Sequence, residues 1–339
     1  MAVRLKDIAQ DLGVSTITVS KVLRGGTDIS EATRERVLRR VQELNYRPNM
    51  LARGLAGGPT GTMGLLVPDL VQPFFAEFAK ALSSLLREHD LALILASSEE
   101  DPAIEEREIR ALVHRGVDVL LLASCRESLL DLPALGVAPT PCVLFDRSFR
   151  GVDAAFVGLD EVEVGRLATN HLLEQGCTRV AHIGGKATSP AVGRLEGYCQ
   201  AVRQHGLVLP AAYVHSCGHV EEGGFDTGFE AMQALLALPV PPDAVFCYND
   251  MTAVGAMEAV LRAGLRVPED VAVVGCGNFR FAEYLRRPLS SIDQNVAELG
   301  RIAGTMALAL AVDAQAPARQ VLLQPRLIAR ASSLRRERG

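Results

Sequence analysis

Six residues near the N-terminus, Ser15, Thr16, Ile17, Thr18, Ser20 and Lys21, place four hydroxyls, one branched apolar side chain and one ammonium within two helical turns. Hydroxyls can bond phosphate or base edges, an isoleucine can meet a thymine methyl, and a lysine can donate to guanine O6 or N7. Lysine does so as a point charge, without the fork of arginine. A small helical bundle that binds protein remains the alternative on this pattern alone. A second set, Phe74, Phe75, Ser124, Asp146, Arg194 and Asn249, falls just after apolar runs. Arg194 stands out, because a guanidinium at the start of a helix lining a cleft needs a partner. Phe74 and Phe75 could equally be core, and Asp146 could pair with Arg147. Catalytic patterns are missing: no GxxxxGK[ST], GxSxG or HExxH occurs, and "GGKATS" (184–189) only loosely echoes a phosphate loop. No enzyme activity is expected, and no cofactor or metal.

The first set is positioned by a run of short helices. Leu5, Ile8, Ala9 and Leu12 lie at i, i+3, i+4 and i+7, one face of a helix. Gly13 suits a left-handed terminus. Ser15 or Thr16 caps a second helix, whose apolar face is Val19, Val22 and Leu23. This is the helix-turn-helix pattern. Ser30 opens a third helix with Val37, Val41 and Leu44 as its stripe and Leu38 beside it. In such a bundle the second helix of the motif offers its N-terminal side chains to the major groove.

From Thr62 onward short apolar runs alternate with amphipathic stretches. Strands are expected at 63–68, 91–97, 117–123, 142–146, 179–185, 244–249 and 271–276. Helices are expected over Phe74–Arg87, Ile104–His114, Val162–Glu174, Arg194–His205, Glu222–Leu238 and Met251–Ala263. Such alternation means parallel sheets with right-handed crossovers. Ligands bind beyond the carboxyl ends of such strands, where the second set lies. Asp250 is expected to cap the helix that follows it.

The net charge of −5 is unevenly spread. Residues 1–60 hold ten Lys/Arg against six Asp/Glu, a net of +4, which leaves −9 for the rest. A basic head on an acidic body suits a polyanion at the head alone. The seven cysteines include no CxxC pair and sit mostly in apolar runs, which implies buried, reduced thiols. No signal peptide opens the chain and no membrane-length apolar run occurs, so a cytoplasmic protein without membrane contact is expected.

The runs "LKDIAQDLGVSTITVSKVLRG" and "ISEATRERVLRRVQELNYRPN" closely resemble the lactose-repressor (LacI/GalR-type) family of bacterial transcription regulators, and the resemblance continues through nearly the whole chain. It implies an all-α helix-turn-helix head at 1–47, a hinge helix and linker at 48–60, and a two-lobed α/β domain at 61–339 like periplasmic binding proteins. The first lobe would take about 61–160 and 291–323, the second about 161–290 and 324–330. It implies a homodimer on a near-palindromic double-stranded DNA operator, with repression as the expected output under allosteric control by a small molecule between the lobes. At the hinge it adds Asn49, Arg53 and Leu55 to the DNA-binding residues, with Leu55 wedged into the central minor groove. A helix this short, with Gly54 inside it, is marginal alone and is expected to fold on DNA. In the sensor it matches Phe74, Phe75, Asp146, Arg194, Asn249 and the Gly277 position to the effector site, to which Ser124 is added by its place after a strand. Two departures count against a standard sugar. Gly277 stands where the family often has a sugar-binding aspartate, and Val220 where it often has an aromatic. The alternatives left for the effector are a sugar read differently, a sugar acid or phosphate held by Arg194 and Arg147, or another small molecule.

Overall fold

The computed structural model describes residues 3–23, 26, 28–44, 46, 59–126, 140–149, 151, 154–217 and 224–335. The chain divides into two compact units, Met1–Thr60 and Gly61–Gly339. The expected hinge residues Asn49, Arg53 and Leu55, and Val220, lie outside the described residues.

The head has three helices, α1 (Leu5–Leu12), α2 (Thr16–Leu23) and α3 (Glu31–Glu43). Gly13 ends α1 at φ 65°, in the left-handed region that costs glycine nothing. Ser15 accepts the Thr18 backbone N–H at 3.0 Å and so caps α2. Ile8, Ala9, Val19, Val22 and Val37 close the core, with Val41 and Leu44 packed against it. Leu38 turns outward instead, 42% exposed. Arg40 ties α3 back to Asp11 of α1 at 2.6 Å.

In the larger unit the strands are β1 (Thr62–Val67), β2 (Ala92–Ser97), β3 (Val119–Leu122), β4 (Cys142–Phe145), β5 (Ala155–Leu159), β6 (Val180–Gly184), β7 (Val214–Ser216), β8 (Ala244–Cys247), β9 (Ala272–Cys276), β10 (Ser290–Asp293), β11 (Gln320–Leu323) and β12 (Arg326–Ile328). They form two six-stranded sheets, ordered β11-β5-β4-β3-β1-β2 and β12-β10-β9-β8-β6-β7. Among the described residues, only the edge strand β12 runs antiparallel to its neighbour. The helices are α4 (Pro73–Glu88), α5 (Pro102–His114), α6 (Glu161–Glu174), α7 (Ser189–Gln204), α8 (Gly224–Leu236), α9 (Asp250–Arg262) and α10 (Val296–Val312). The chain crosses between sheets after β5, after β10 and after β11.

Three differences from the sequence reading have local causes. Helix α7 opens at Ser189, five residues before the expected Arg194, because Pro190 suits a first turn where no N–H is needed. Strands β7, β10 and β12 are short or polar and carried no apolar run to read, whereas β5 (Ala-Phe-Val-Gly-Leu) and the Val-Leu-Leu of β11 are apolar runs that the sequence reading did not assign. Asn249, not Asp250, caps α9, accepting the Thr252 backbone N–H at 2.8 Å.

Glycines set the spacing of two helix pairs in the second-sheet layer. A Cβ at Gly197 of α7 would lie 1.9 Å from the Val162 carbonyl oxygen of α6, and one at Gly165 would lie 2.0 Å from that of Arg194. Gly228 of α8 and Gly255 of α9 meet backbone as closely. Beneath the sheet, His182 is buried, stacked 4.9 Å from Phe246, with Nδ1–H donating to the Phe246 carbonyl at 3.0 Å. Burial lowers its pKa to about 4.

Two outcomes follow. Gly197→Ala forces α6 and α7 apart and lowers unfolding stability by about 3 kcal/mol, read by chemical denaturation. His182 binds a proton in the unfolded chain below about pH 6.5 and in the folded chain only near pH 4, so its contribution is intact at neutral pH and is lost as pH falls through that window, at up to about 1.4 kcal/mol per pH unit. Denaturation curves at pH 7, 5.5 and 4.5 should show His182→Phe losing less stability than the wild type; equal losses would contradict the assignment.

Candidate functional sites

In the head, Ser15, Thr16 and Ile17 are exposed at the start of α2, and Ile17 keeps 66% of its surface open to solvent. An isoleucine that open gains nothing for the fold. Thr16, Ile17, Ser20 and Lys21 lie at i, i+1, i+4 and i+5, on the face opposite the buried Val19 and Val22. Thr18 is half-buried, and its hydroxyl bonds that of Ser15 at 2.9 Å. Lys21 forms an ion pair with Asp28. Three of the basic residues are engaged within the head: Arg34 with the Gly26 carbonyl, Arg36 with the Leu12 carbonyl, and Arg40 with Asp11 and Glu43.

In the larger unit a cleft of about 30 Å³ is lined by Gln72, Phe74, Phe75, Asp146, Arg194, Tyr248, Asn249, Phe279 and Gln294. Each follows the carboxyl end of a strand: Gln72, Phe74 and Phe75 after β1, Asp146 after β4, Arg194 after β6, Tyr248 and Asn249 after β8, Phe279 after β9 and Gln294 after β10. Five residues singled out from the sequence, Phe74, Phe75, Asp146, Arg194 and Asn249, meet here.

Arg194 is only 3% exposed. Its Nε donates to Glu161 Oε2 at 2.7 Å, Nη2 to Oε1 at 3.3 Å and Nη1 to the Tyr248 carbonyl at 2.7 Å. The guanidinium carbon also sits 4.6 Å from the centre of the Tyr248 ring. Phe74 and Phe75 are both cleft wall and core, edge to face at 5.1 Å, with Phe75 reaching Phe145 at 6.4 Å. Asp146 takes φ 61°, a left-handed conformation that aspartate tolerates, and this turns the chain as β4 ends. The Asn249 oxygen is used by its cap, while its Nδ2 and the Gln72 Oε1 are buried with no partner in the protein.

Two expected residues stand off the cleft. Ser124 lies behind it, donating to the buried Glu105 at 2.8 Å while its carbonyl accepts from Arg147. Gly277 is covered by the ring of Phe279, whose Cζ would be 2.6 Å from an added Cβ. Arg147, considered for an anionic effector, is buried and bound to Glu100 at 2.6 Å. At the rim, residues that follow the two sheets bond each other: Ser148 N–H donates to Ser189 Oγ at 2.8 Å, and Lys186 Nζ lies 3.5 Å from Glu100.

Sequence reasoning missed Gln72, Tyr248, Phe279 and Gln294. The strand-end rule reaches Gln72, two residues before Phe74, and Tyr248, next to Asn249. Gln294 follows β10, a Ser-Ser-Ile-Asp strand with no apolar run. Phe279 was out of reach because its approach to the cleft depends on the turn. Asp250 is fully buried, accepting from Ser291 Oγ at 2.6 Å and from the Phe279 N–H at 2.8 Å. Burial raises its pKa to about 6 against those bonds.

Residues 4–49 match the model for bacterial regulatory proteins of the lacI family, and residues 169–333 match that for the periplasmic binding protein-like domain. The ribose operon repressor of Escherichia coli K12 is 36% identical over 301 residues, 88% of this chain and 90% of that protein. The HTH-type transcriptional repressor CytR of the same strain is 32% identical over 308 residues, 88% and 87% of the two chains. Among solved structures, a complex of the transcriptional regulator CelR with cellobiose is 30% identical, with a TM-score of 0.74 over 97% of this chain and 99% of that one. The Lac repressor dimer bound to operator and the anti-inducer ONPF shares the fold, with a TM-score of 0.85 at 24% identity over 99% and 100%. A reading head, a body of two parallel sheets and repressor relatives that match most of its length agree, and the chain belongs to the lacI family of bacterial regulatory proteins as a DNA-binding transcriptional regulator.

Proposed function

We propose that this regulator is a homodimeric, cytoplasmic repressor that reads a near-palindromic operator and changes its grip on DNA when a small neutral sugar enters the cleft. Thr16, Ile17, Ser20 and Lys21 read bases, with Ser15 and Thr18 near the phosphates and Asn49, Arg53 and Leu55 acting at the hinge. Lys21 exchanges Asp28 for DNA, so operator contact competes with an ion pair already made. The relatives are repressors rather than enzymes, and no turnover is assigned to this chain. The domain limits are those read above, with the second lobe keeping the chain through Asp293, where β10 ends.

One observation carries the effector reading. Two buried polar atoms that the fold leaves unused, Gln72 Oε1 and Asn249 Nδ2, belong to residues that line a cleft at the strand ends of two sheets. Ribose in the name of one relative and cellobiose in the complex of another support the carbohydrate class. Charge favours a neutral member of it. Arg194 is matched by Glu161 and Arg147 by Glu100, while Asp146 adds a carboxylate at the wall, so an anion would meet no uncompensated cation. The present free volume of about 30 Å³ suits one or two waters. A sugar ring requires the walls to separate, which is the motion that would be passed to the hinge.

A second groove, of about 380 Å³, has an apolar floor of Val254, Met257, Leu261, Val267 and Leu285, with Arg286 and Arg287 at its edge. Leu261 is 49% exposed there. An open apolar patch of this kind marks an association surface, and the Lac repressor dimer supports a second copy as its occupant.

Selection of duplexes from a random pool by the pure full-length chain should yield a palindromic consensus, and Leu55→Ala should relax its central step. Binding without a consensus would contradict the operator reading. Leu261→Asp should shift the sedimentation mass from dimer to monomer and weaken operator binding at least about tenfold, because each head would then act alone. A variant that stays dimeric would place the interface elsewhere.

A further inference from the structure

The turn after β9 contributes a single residue to the cleft wall, the apolar Phe279. Every residue of that turn is tied down from behind. The Gly277 N–H donates to the Ile292 carbonyl at 2.8 Å. The Asn278 N–H donates to Ser291 Oγ at 2.8 Å, and its amide oxygen accepts from Arg330 at 2.7 Å. The Phe279 N–H is held by the buried Asp250 carboxylate. Phe279 itself is 4% exposed. Gly277 has φ 130°, where side chains are rarely found, and the end of the Phe279 ring fills the space its Cβ would need. The ring therefore stands in place of any polar side chain at 277, and the anchored turn keeps it there. Elsewhere in the lining the situation is reversed, since Gln72 Oε1 after β1 and Asn249 Nδ2 after β8 each lack a partner and call for a ligand donor and a ligand acceptor.

A ligand that satisfies the whole lining brings hydroxyls to Gln72 and Asn249 and hydrocarbon to Phe279. We infer that the Gly277–Phe279 pair makes this regulator select a deoxy sugar, one that carries a hydrogen or a methyl group instead of a hydroxyl on the carbon facing Phe279. The inference rests on the reading of the cleft as the effector site. A hydroxyl pressed against the ring would be stripped of water and given no partner, whereas hydrocarbon there gains close contact. Apolar surfaces discriminate against an added hydroxyl by about tenfold to a hundredfold.

The test is titration calorimetry on the full-length chain with D-ribose and D-galactose, each against its set of monodeoxy derivatives. At least one deoxy sugar should bind about tenfold tighter than its parent. Phe279→Ser should abolish that preference, while Phe279→Leu, which keeps the wall apolar, should retain it. Gln72→Ala, which removes an acceptor the fold does not use, should weaken all binding and so report that the cleft is the site. Parents that bind as tightly as every derivative, or a preference that survives Phe279→Ser, would overturn the inference and leave the cleft reading standing if Gln72→Ala still weakens binding. No binding at all, or binding indifferent to Gln72→Ala, would overturn the cleft reading and the inference with it.

Discussion

A guanidinium with almost no access to water must be neutralised on the spot, and the arrangement around Arg194 is organised by that requirement. Its counter-ion, Glu161, comes from the first turn of α6, where the helix dipole also favours a carboxylate. The two helices can bring these groups together because Gly165, Gly193 and Gly197 remove the side chains that would hold them apart. The third bond goes to the Tyr248 carbonyl, just past β8. One buried ion pair thus links α6, α7 and the end of a central strand at the floor of the cleft. Loss of either partner leaves a stranded charge, at a cost of about 3–5 kcal/mol. That cost holds the polar lining in register.

Parallel sheets then decide where chemistry can happen. All strands but one point the same way within each sheet, so the loops that leave them collect on a common edge. The two edges meet at the cleft. The head works by a different economy. Its core is small, its arginines are largely engaged in holding three helices together, and an isoleucine is left open to solvent on the reading face.

Legibility in the sequence followed the same division. Periodic apolar residues made the three head helices and the long α/β alternation readable, as where Leu5, Ile8, Ala9 and Leu12 recur at the spacing of a buried face. The rule that ligands bind past strand ends found Phe74, Phe75, Asp146, Arg194 and Asn249. It failed where a strand was polar, as at Ser290–Asp293, and so lost Gln294. Asn249 took the cap expected of Asp250 while keeping its place in the cleft, since which of two adjacent polar residues caps a helix depends on which one the core needs elsewhere. Ser124 was placed in the cleft by the same strand-end rule and Gly277 by resemblance. The first is drawn away by Glu105 and the second is covered by Phe279, and both effects arise from contacts distant in sequence.

The central claim is that occupancy of the Arg194 cleft sets the affinity of the head for DNA. Its most direct test is the Kd for the selected operator, measured by fluorescence anisotropy with and without a saturating sugar that the wild type binds and Gln72→Ala does not. The account predicts a change of at least about fivefold in the wild type and none in the variant. An operator Kd that stays the same while the cleft fills would contradict it.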